Sequence, residues 1–427
     1  MIIVTGGAGL IGSAVVHRLN QLGREDILVV DHLEHSDKWR NLAPLRFMDY
    51  MEKDDFEARL DAGSLQRKPL RGAGGVEAVL HLGACSATTE TDASYLAKNN
   101  FEYTRKLALV ALETNARFIY ASSAATYGNG ENGFEDEEQD LPRLRPLNAY
   151  GYSKQLFDLW ALRHGLLGKI AGLKYFNVFG PNEQHKGEMR SLVLKAYEQI
   201  MESGTLRLFK SHRPDYADGE QVRDFIYVMD AAAATVHFLI NRQANGIFNI
   251  GGGGTVSWNR LATAVFSAMG RPVNIHYIDM PESIRDTYQY RTCAETAKLR
   301  AAGFSEEIST VEEGVRDYIQ NYLMPGKRLG GLGWFSGTVE AFKKQRIWHT
   351  RRFYEDTISA PRFPPWKRGV SIPPQLLPAE AGAGVVVDHA HRLHEGIADG
   401  AANKGKAAPP QVAAYAIGER GTGRHLR

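Results

Sequence analysis

The chain has 427 residues, 43% of them apolar and 23% charged, which is ordinary globular composition and excludes wholesale disorder or a collagen-like repeat. The formal charge of +2 hides an asymmetry: residues from Gly326 onward carry 16 Lys+Arg against 8 Asp+Glu, leaving residues 1–325 at a net −6. Two cysteines, Cys85 and Cys293, cannot form a disulfide framework and lack zinc spacing. No apolar run is long enough for a membrane span, and no basic leader precedes the first strand, so a cytoplasmic protein is expected.

In chain order, Ile2-Ile3-Val4 reads as a first strand. Ser13–Gly23 reads as a helix with Val15, Val16, Leu19 and Leu22 on one face, and Ile27–Val30 as a second strand. Further strands are expected at Ala78–His81, Arg117–Ala121 and Gly172–Tyr175, with helices at Asp92–Thr114 and Ser153–His164. This alternation predicts an α/β fold, a doubly wound parallel sheet covered by helices. Beyond Pro181 the pattern loosens into helices at Ser191–Ser203 and Ser257–Met269, separated by a polar loop at Ser211–Glu220 and the glycines of Gly246–Gly254. The expected division is a dinucleotide-binding domain over 1–180, joined by some later segments, a smaller α/β substrate lobe over 181–323, and a basic Gly/Pro-rich extension over 324–427.

Thr5-Gly6-Gly7-Ala8-Gly9-Leu10-Ile11-Gly12 lies between the first strand and the first helix. Small residues there let the backbone approach a pyrophosphate, which the free N–H groups and the helix dipole favour. Asp31 closes the second strand 19 residues past Gly12, where a carboxylate bonds the adenosine ribose. That alone favours NAD, whereas Lys38 and Arg40 just beyond it offer charge for a 2′-phosphate, so the residues leave NAD and NADP both open.

Tyr150-Gly151-Tyr152-Ser153-Lys154 contains Tyr-x-x-x-Lys, which on a helix puts both side chains on one face. A nearby ammonium stabilises a phenolate and makes the tyrosine an acid/base near neutral pH. Ser122 and Ser123 follow the strand at Phe118–Ala121, where a hydroxyl can share a substrate oxygen with Tyr150.

Thr5–Gly12, Ala121-Ser122-Ser123, Tyr150-x-x-x-Lys154 and Tyr175–Pro181 (YFNVFGP) together resemble the extended short-chain dehydrogenase/reductase family of nucleotide-sugar enzymes. Asp37-Lys38, Gly83–Ser86, Ala121–Gly128, His185-Lys186-Gly187 and Tyr288-Gln289 resemble its ADP-heptose 6-epimerase branch, over about Met1–Leu323. The resemblance implies a Rossmann fold, bound NADP, and inversion of C6″ of ADP-D-glycero-β-D-manno-heptose for the lipopolysaccharide core, through transient oxidation to a 6″-ketone. It implies Tyr150 and Lys186 as the two acid/base groups, Ser123 orienting the oxygen, and Lys154 holding the cofactor ribose and tuning Tyr150.

Implied cofactor contacts are Gly6, Gly9, Leu10, Ile11, Gly12, Asp31, His32, Lys38, Lys53, Leu82, Gly83, Ala84, Cys85, Ser86, Asn99, Lys154, Val178 and Lys186. Implied substrate contacts are Asn177, Glu188, Lys195, Phe209, Lys210, Ser211, His212, Arg223 and Tyr288, the Arg223 guanidinium suiting a diphosphate. No metal, nucleic acid or membrane is expected, and a homo-oligomer, a pentamer by resemblance, is.

The sequence departs from the branch at Glu188, where other members have Ser, at Lys195, where they have His, at Leu10 in place of Phe, and over Tyr290–Glu295. These positions bear on sugar fit more than on reaction type. Competing readings are another nucleotide-sugar epimerase, such as a UDP-glucose 4-epimerase, and a non-catalytic NADP sensor. Against the sensor stands the complete Ser123, Tyr150 and Lys154 set; against a 4,6-dehydratase stands Ser123-Ala124-Ala125-Thr126, which lacks an Asp-Glu pair.

The last hundred residues bury little apolar area per residue ordered, so the extension is expected to be disordered. Its aromatic and basic residues, including Trp334, Trp348, Arg351 and Trp366, do not form a recognisable nucleic-acid-binding fold, and His389, His391 and His394 lack metal-site partners.

Overall fold

The computed structural model describes residues 1–63, 75–285 and 288–331, all within one compact unit. The sheet begins in its interior with β1 (Ile2–Thr5), wholly buried and flanked by the parallel strands β2 (Ile27–Asp31) and, on its other side, β4 (Ala78–His81). The chain adds β3 (Asp49–Glu52) outside β2, then β5 (Arg117–Ser123) and β6 (Ala171–Tyr175) outside β4. A last parallel strand at Gly246–Ile250 pairs with β6 and completes seven strands. Such strands are covered on both faces, so they read as unbroken apolar runs and not as alternating ones.

The direction of winding reverses between β1 and β4, which opens a crevice beyond the carboxyl ends of these strands. On one side of the sheet lies α1 (Leu10–Gln21), which packs on the later helix Val228–Ile240. On the other lie α3 (Lys53–Asp61), α4 (Tyr103–Glu113) and α5 (Ala149–Arg163), around a second core that includes Phe56, Leu107, Phe118 and Phe157. The short helix α2 (Trp39–Leu42) lies between β2 and β3.

Two boundaries differ from the sequence reading in an instructive way. The helix expected over Asp92–Thr114 starts on Asp92, whose carboxylate accepts from the Tyr95 amide at 2.9 Å, but widens to a π turn over Ala97–Glu102 before continuing as α4. Gly246–Gly254, to which the sequence reading assigns no strand, holds the seventh strand in its first half, where Ile247, Phe248 and Asn249 are buried between β6 and the packed helices. This late segment thus joins the same sheet as β1.

Beyond β6 the chain forms β7 (Asn177–Phe179), α6 (Leu192–Ser203), β8 (Leu206–Phe209), β9 (Val222–Arg223), β10 (Phe225–Tyr227) and the helix Trp258–Ala268. Ser191 and Ser257 cap the two helices by accepting from the Leu194 and Arg260 amides at 3.3 and 3.2 Å. The part of the expected extension that is described, 324–331, packs on the body of the fold, with Leu329 fully buried. The rest of it, with its aromatic, basic and histidine features, lies outside the described residues. Among the described residues no helix is long and apolar enough to cross a membrane.

Candidate active site

The turn between β1 and α1 is built for close backbone approach. Gly6 has φ +68°, and a Cβ there would fall 2.5 Å from the Gly83 nitrogen; at Gly12 it would fall 2.0 Å from the Gly6 carbonyl oxygen. Side chains at either position would fill the space that brings α1 and the Gly83 loop against this turn. Gly9 lies at the N-terminus of α1 with no side-chain cap, while Leu10 and Ile11 begin the helix. These features fit a pyrophosphate.

A cleft of about 430 Å³ opens beside this turn, lined among others by Thr5, Gly6, Asp31, His32, Lys38, Lys53, Gly83, Ala84, Cys85 and Asn99. Asp31 is buried and accepts from the Ala8 and His32 amides at 2.8 and 2.7 Å. Lys38 Nζ lies 3.0 Å from the same carboxylate and donates to the His32 carbonyl at 3.1 Å. Lys38, expected to offer charge to a 2′-phosphate, is therefore held over the Asp31 carboxylate. Lys53 donates to Asn99 Oδ1 at 2.9 Å. Leu82 and Gly83 follow β4, their amides donating to the Thr5 carbonyl and Oγ1 at 3.1 and 3.2 Å, and Ser86 is exposed at the end of this loop. The cleft is suited to a nicotinamide dinucleotide in glycine geometry, carboxylate and cation.

Tyr150 and Lys154 lie one turn apart on α5, whose Asn148 cap accepts from the Gly151 amide at 2.8 Å. Ser123 ends β5 and its hydroxyl hydrogen-bonds the Tyr150 phenol, pulling that pKa down. Burial pushes it up more strongly, so the phenol stays above its ordinary value. Lys154, expected to tune this phenol, donates its ammonium to the Ala121 carbonyl at 2.8 Å. Burial lowers the Lys154 pKa to about 8. Ser122, the alternative hydroxyl, is turned away: it donates to Asp158 at 2.7 Å.

Lys186 lies in the 3-10 segment Gln184–Met189, half-buried, with its amine pKa lowered by burial against the opposing charge of Glu183. Val178 is half-buried and Asn177 exposed on β7. Glu188 and Lys195, two of the departures, meet: Lys195 Nζ donates to the Glu188 carbonyl at 2.6 Å and lies 3.4 Å from its carboxylate.

Arg223 is 7% exposed and lies over the rings of Trp258 and Tyr288, at 5.6 and 5.2 Å, while Trp258 Nε1 donates to the Tyr288 hydroxyl at 2.9 Å. Its neighbour Asp224 does not pair with it. That carboxylate, raised to about 6 by burial, accepts amides from Gly252, Gly253, Gly254 and Ala294. Tyr290 packs 5.4 Å from Tyr288 and its hydroxyl accepts from the His212 amide at 2.9 Å, tying Phe209–His212 to the Arg223 cluster. Lys210 pairs with Asp279 at 3.1 Å and the Ser211 amide donates to Asp218 at 2.8 Å.

The model of the NAD dependent epimerase/dehydratase family matches residues 2–251. The chain belongs to this family. It is 54% identical over 323 residues to the ADP-L-glycero-D-manno-heptose-6-epimerase of Nitratidesulfovibrio vulgaris strain Hildenborough, covering 76% of this chain and 98% of that protein. The structure of the same-named enzyme from Helicobacter pylori superposes with a TM-score of 0.61 at 26% identity, over 75% of this chain and 95% of the other. A UDP-glucose 4-epimerase from Thermus thermophilus in complex with NAD gives a TM-score of 0.58 at 26% identity, over 74% and 97%. The cofactor class of the family is thus a nicotinamide dinucleotide.

Several residues that shape the family's cleft here carry no local sequence signal. Asn100, in the π turn, exchanges hydrogen bonds of 2.9 Å with both the amide and the carbonyl of Cys85, and reaches Ser153 at 3.0 Å, joining the cofactor loop to α5. His81 bridges Thr5 and Thr104 at 2.7 and 2.8 Å beneath the cleft. Only a polar residue inside an otherwise apolar helix or strand would have marked them.

Proposed function

We propose that this chain is an ADP-L-glycero-D-manno-heptose 6-epimerase, which inverts C6″ of ADP-D-glycero-β-D-manno-heptose for lipopolysaccharide core synthesis. What supports the reading is the presence of two candidate acid/base groups: the Tyr150 phenol with its Ser123 neighbour, and half-buried Lys186, whose amine pKa is lowered by burial. Inversion needs a proton taken from and returned to the same hydroxyl on two faces of the sugar carbon, which two such groups can serve. The bound nicotinamide supplies a reversible hydride acceptor.

In this reading Ser123 orients the C6″ oxygen toward Tyr150. Tyr150 serves one epimer as base and Lys186 the other, exchanging roles as acid when the ketone is reduced on its opposite face. Arg223 on its two rings binds the diphosphate, since its charge has no carboxylate partner among the described residues. Lys38 beside Asp31 supports NADP over NAD, by offering a cation to a 2′-phosphate. The Glu188–Lys195 pair would meet the sugar with charge of both signs.

The deciding experiment incubates the purified protein with each C6″ epimer of ADP-heptose, and separately with UDP-glucose, without added reductant. Equilibration of the two ADP-heptose epimers is expected. Turnover of UDP-glucose alone would reassign the chain to 4-epimerisation, and binding without turnover would favour the sensor.

A further inference from the structure

Asn41 on α2 is 1% exposed, and the proposed chemistry gives it no task. Its Nδ2 lies 2.9 Å from the Ala8 carbonyl in the glycine turn, 2.9 Å from the Asn182 carbonyl, and 3.3 Å from Nδ1 of His185. An amide nitrogen carries two hydrogens, so three acceptors converge on one donor group. Asn182 is fully buried at φ +77°, donates from its side chain to Ser13 Oγ on α1 at 3.0 Å, and accepts from the Leu329 amide at 3.3 Å. Glu183 then accepts the Lys186 amide at 3.0 Å, and its buried carboxylate takes the Ser191 amide and hydroxyl at 2.6 and 2.7 Å.

The segment carrying Lys186 is thereby attached at its start to the glycine turn, and through His185 directly before Lys186 to α2. Burial and the facing cations Lys38, Lys186 and Arg328 hold the imidazole pKa at about 4, so the ring is neutral at neutral pH and its Nδ1 accepts in the tautomer protonated at Nε2. A buried asparagine meeting two carbonyls from different segments fixes their separation, because losing it strands both.

We infer that Asn41 is a positioning residue for Lys186: it sets the distance between the cofactor's phosphate turn and the second acid/base group. The inference rests on the proposed two-base reading. It makes a distinction that general structural support does not. A misplaced Lys186 should hinder the epimer that uses Lys186 as base and leave the epimer that uses Tyr150 nearly untouched.

The experiment measures single-turnover reduction of the bound cofactor, by near-ultraviolet absorbance normalised to cofactor content, with each ADP-heptose epimer in turn. Full-length wild type, Lys186→Ala, Asn41→Ala and Asn41→Ser are compared. Lys186→Ala is expected to slow one epimer far more than the other. Asn41→Ala should slow that same epimer, by about 10²-fold for a displacement on the order of 1 Å, with the other near wild type. Asn41→Ser keeps one short donor and should show the same bias at smaller amplitude; it decides the matter if Asn41→Ala does not fold. Equal slowing of both epimers by the Asn41 variants, alongside a biased Lys186→Ala, overturns the inference while leaving the two-base reading intact. An unbiased Lys186→Ala overturns the role of Lys186, and this inference with it.

Discussion

Lys174 Nζ lies 2.6 Å from the Asp158 carboxylate, and both side chains are 0% exposed. Asp158 also accepts from Tyr120 and Ser122 at 2.9 and 2.7 Å, while Lys174 donates to Thr126 at 2.7 Å, whose hydroxyl in turn donates to the Ser123 carbonyl at 2.8 Å. The strand end that presents Ser123 is therefore fixed from behind by an ion pair joining β6 to α5. Asp158→Ala leaves a buried ammonium unpaired and should cost about 3–5 kcal/mol, whereas the joint Asp158→Leu, Lys174→Met replacement should cost much less. Urea unfolding of the three proteins measures the difference; equal losses in the single and joint variants would refute it.

The Tyr150 phenol is raised by burial and lowered by its bond to Ser123. Tyr150→Phe should reduce epimerisation by about 10²–10⁴-fold, the usual contribution of a positioned acid/base group, with cofactor still bound. Ser123→Ala removes the lowering influence, so the rise in rate with pH as the phenol ionises should move to higher pH. A pH–rate profile that stays in place would detach Ser123 from Tyr150.

The elements were legible where pattern and punctuation coincide. The strands around Ile3, Leu28, Val79 and Phe118 read directly as apolar runs, and the glycine turn before Leu10 marks the cofactor site through backbone demands that only small residues meet. The seventh strand was missed because Gly246 and Gly251 signal turns while the burial of Phe248 comes from helices distant in sequence. The local spacing of Tyr150 and Lys154 indicated one helix face, but not that Lys154 would reach the Ala121 carbonyl. Asn41, Asn100 and the Lys174–Asp158 pair were illegible for a common reason: each is a polar residue whose partners lie on other elements.

Lys154 is buried with its pKa lowered from the ordinary 10.5 to about 8. Below pH 8 the folded protein bears the cost of a buried charge. Between pH 8 and the ordinary lysine value the unfolded chain holds a proton that the folded one has released, so stability rises with pH there. The cost relieved amounts to about 3 kcal/mol. Lys154→Met lacks this group, so wild-type stability relative to the variant should improve through that window while activity is lost throughout. Parallel stability curves for the two proteins from neutral to alkaline pH would contradict the burial cost.

Lys38 holds its ammonium 3.0 Å from the Asp31 carboxylate, at the ribose end of the cleft. If it serves a 2′-phosphate, Lys38→Ala removes a charge-assisted hydrogen bond worth about 1.5–3 kcal/mol. NADP affinity should then fall by roughly ten- to a hundredfold, with NAD affinity little changed or improved. Dissociation constants for both cofactors test this, and equal losses would remove the NADP preference from the proposal.

The end of the described chain is part of the enzyme body. Leu329 is fully buried in the main hydrophobic core, and its amide donates to Asn182, the residue that Asn41 holds. A protein ending at Gly331 keeps these contacts and should match the full chain in melting temperature and epimerisation rate. One ending at Leu323 loses a buried leucine, worth about 1.5–3 kcal/mol, and frees Asn182 on one side. It should melt lower and lose rate selectively with the epimer that depends on Lys186, because the loosened residue is the one that leads into that segment. Indistinguishable melting of the two truncated proteins would show that 324–331 adds nothing to the fold.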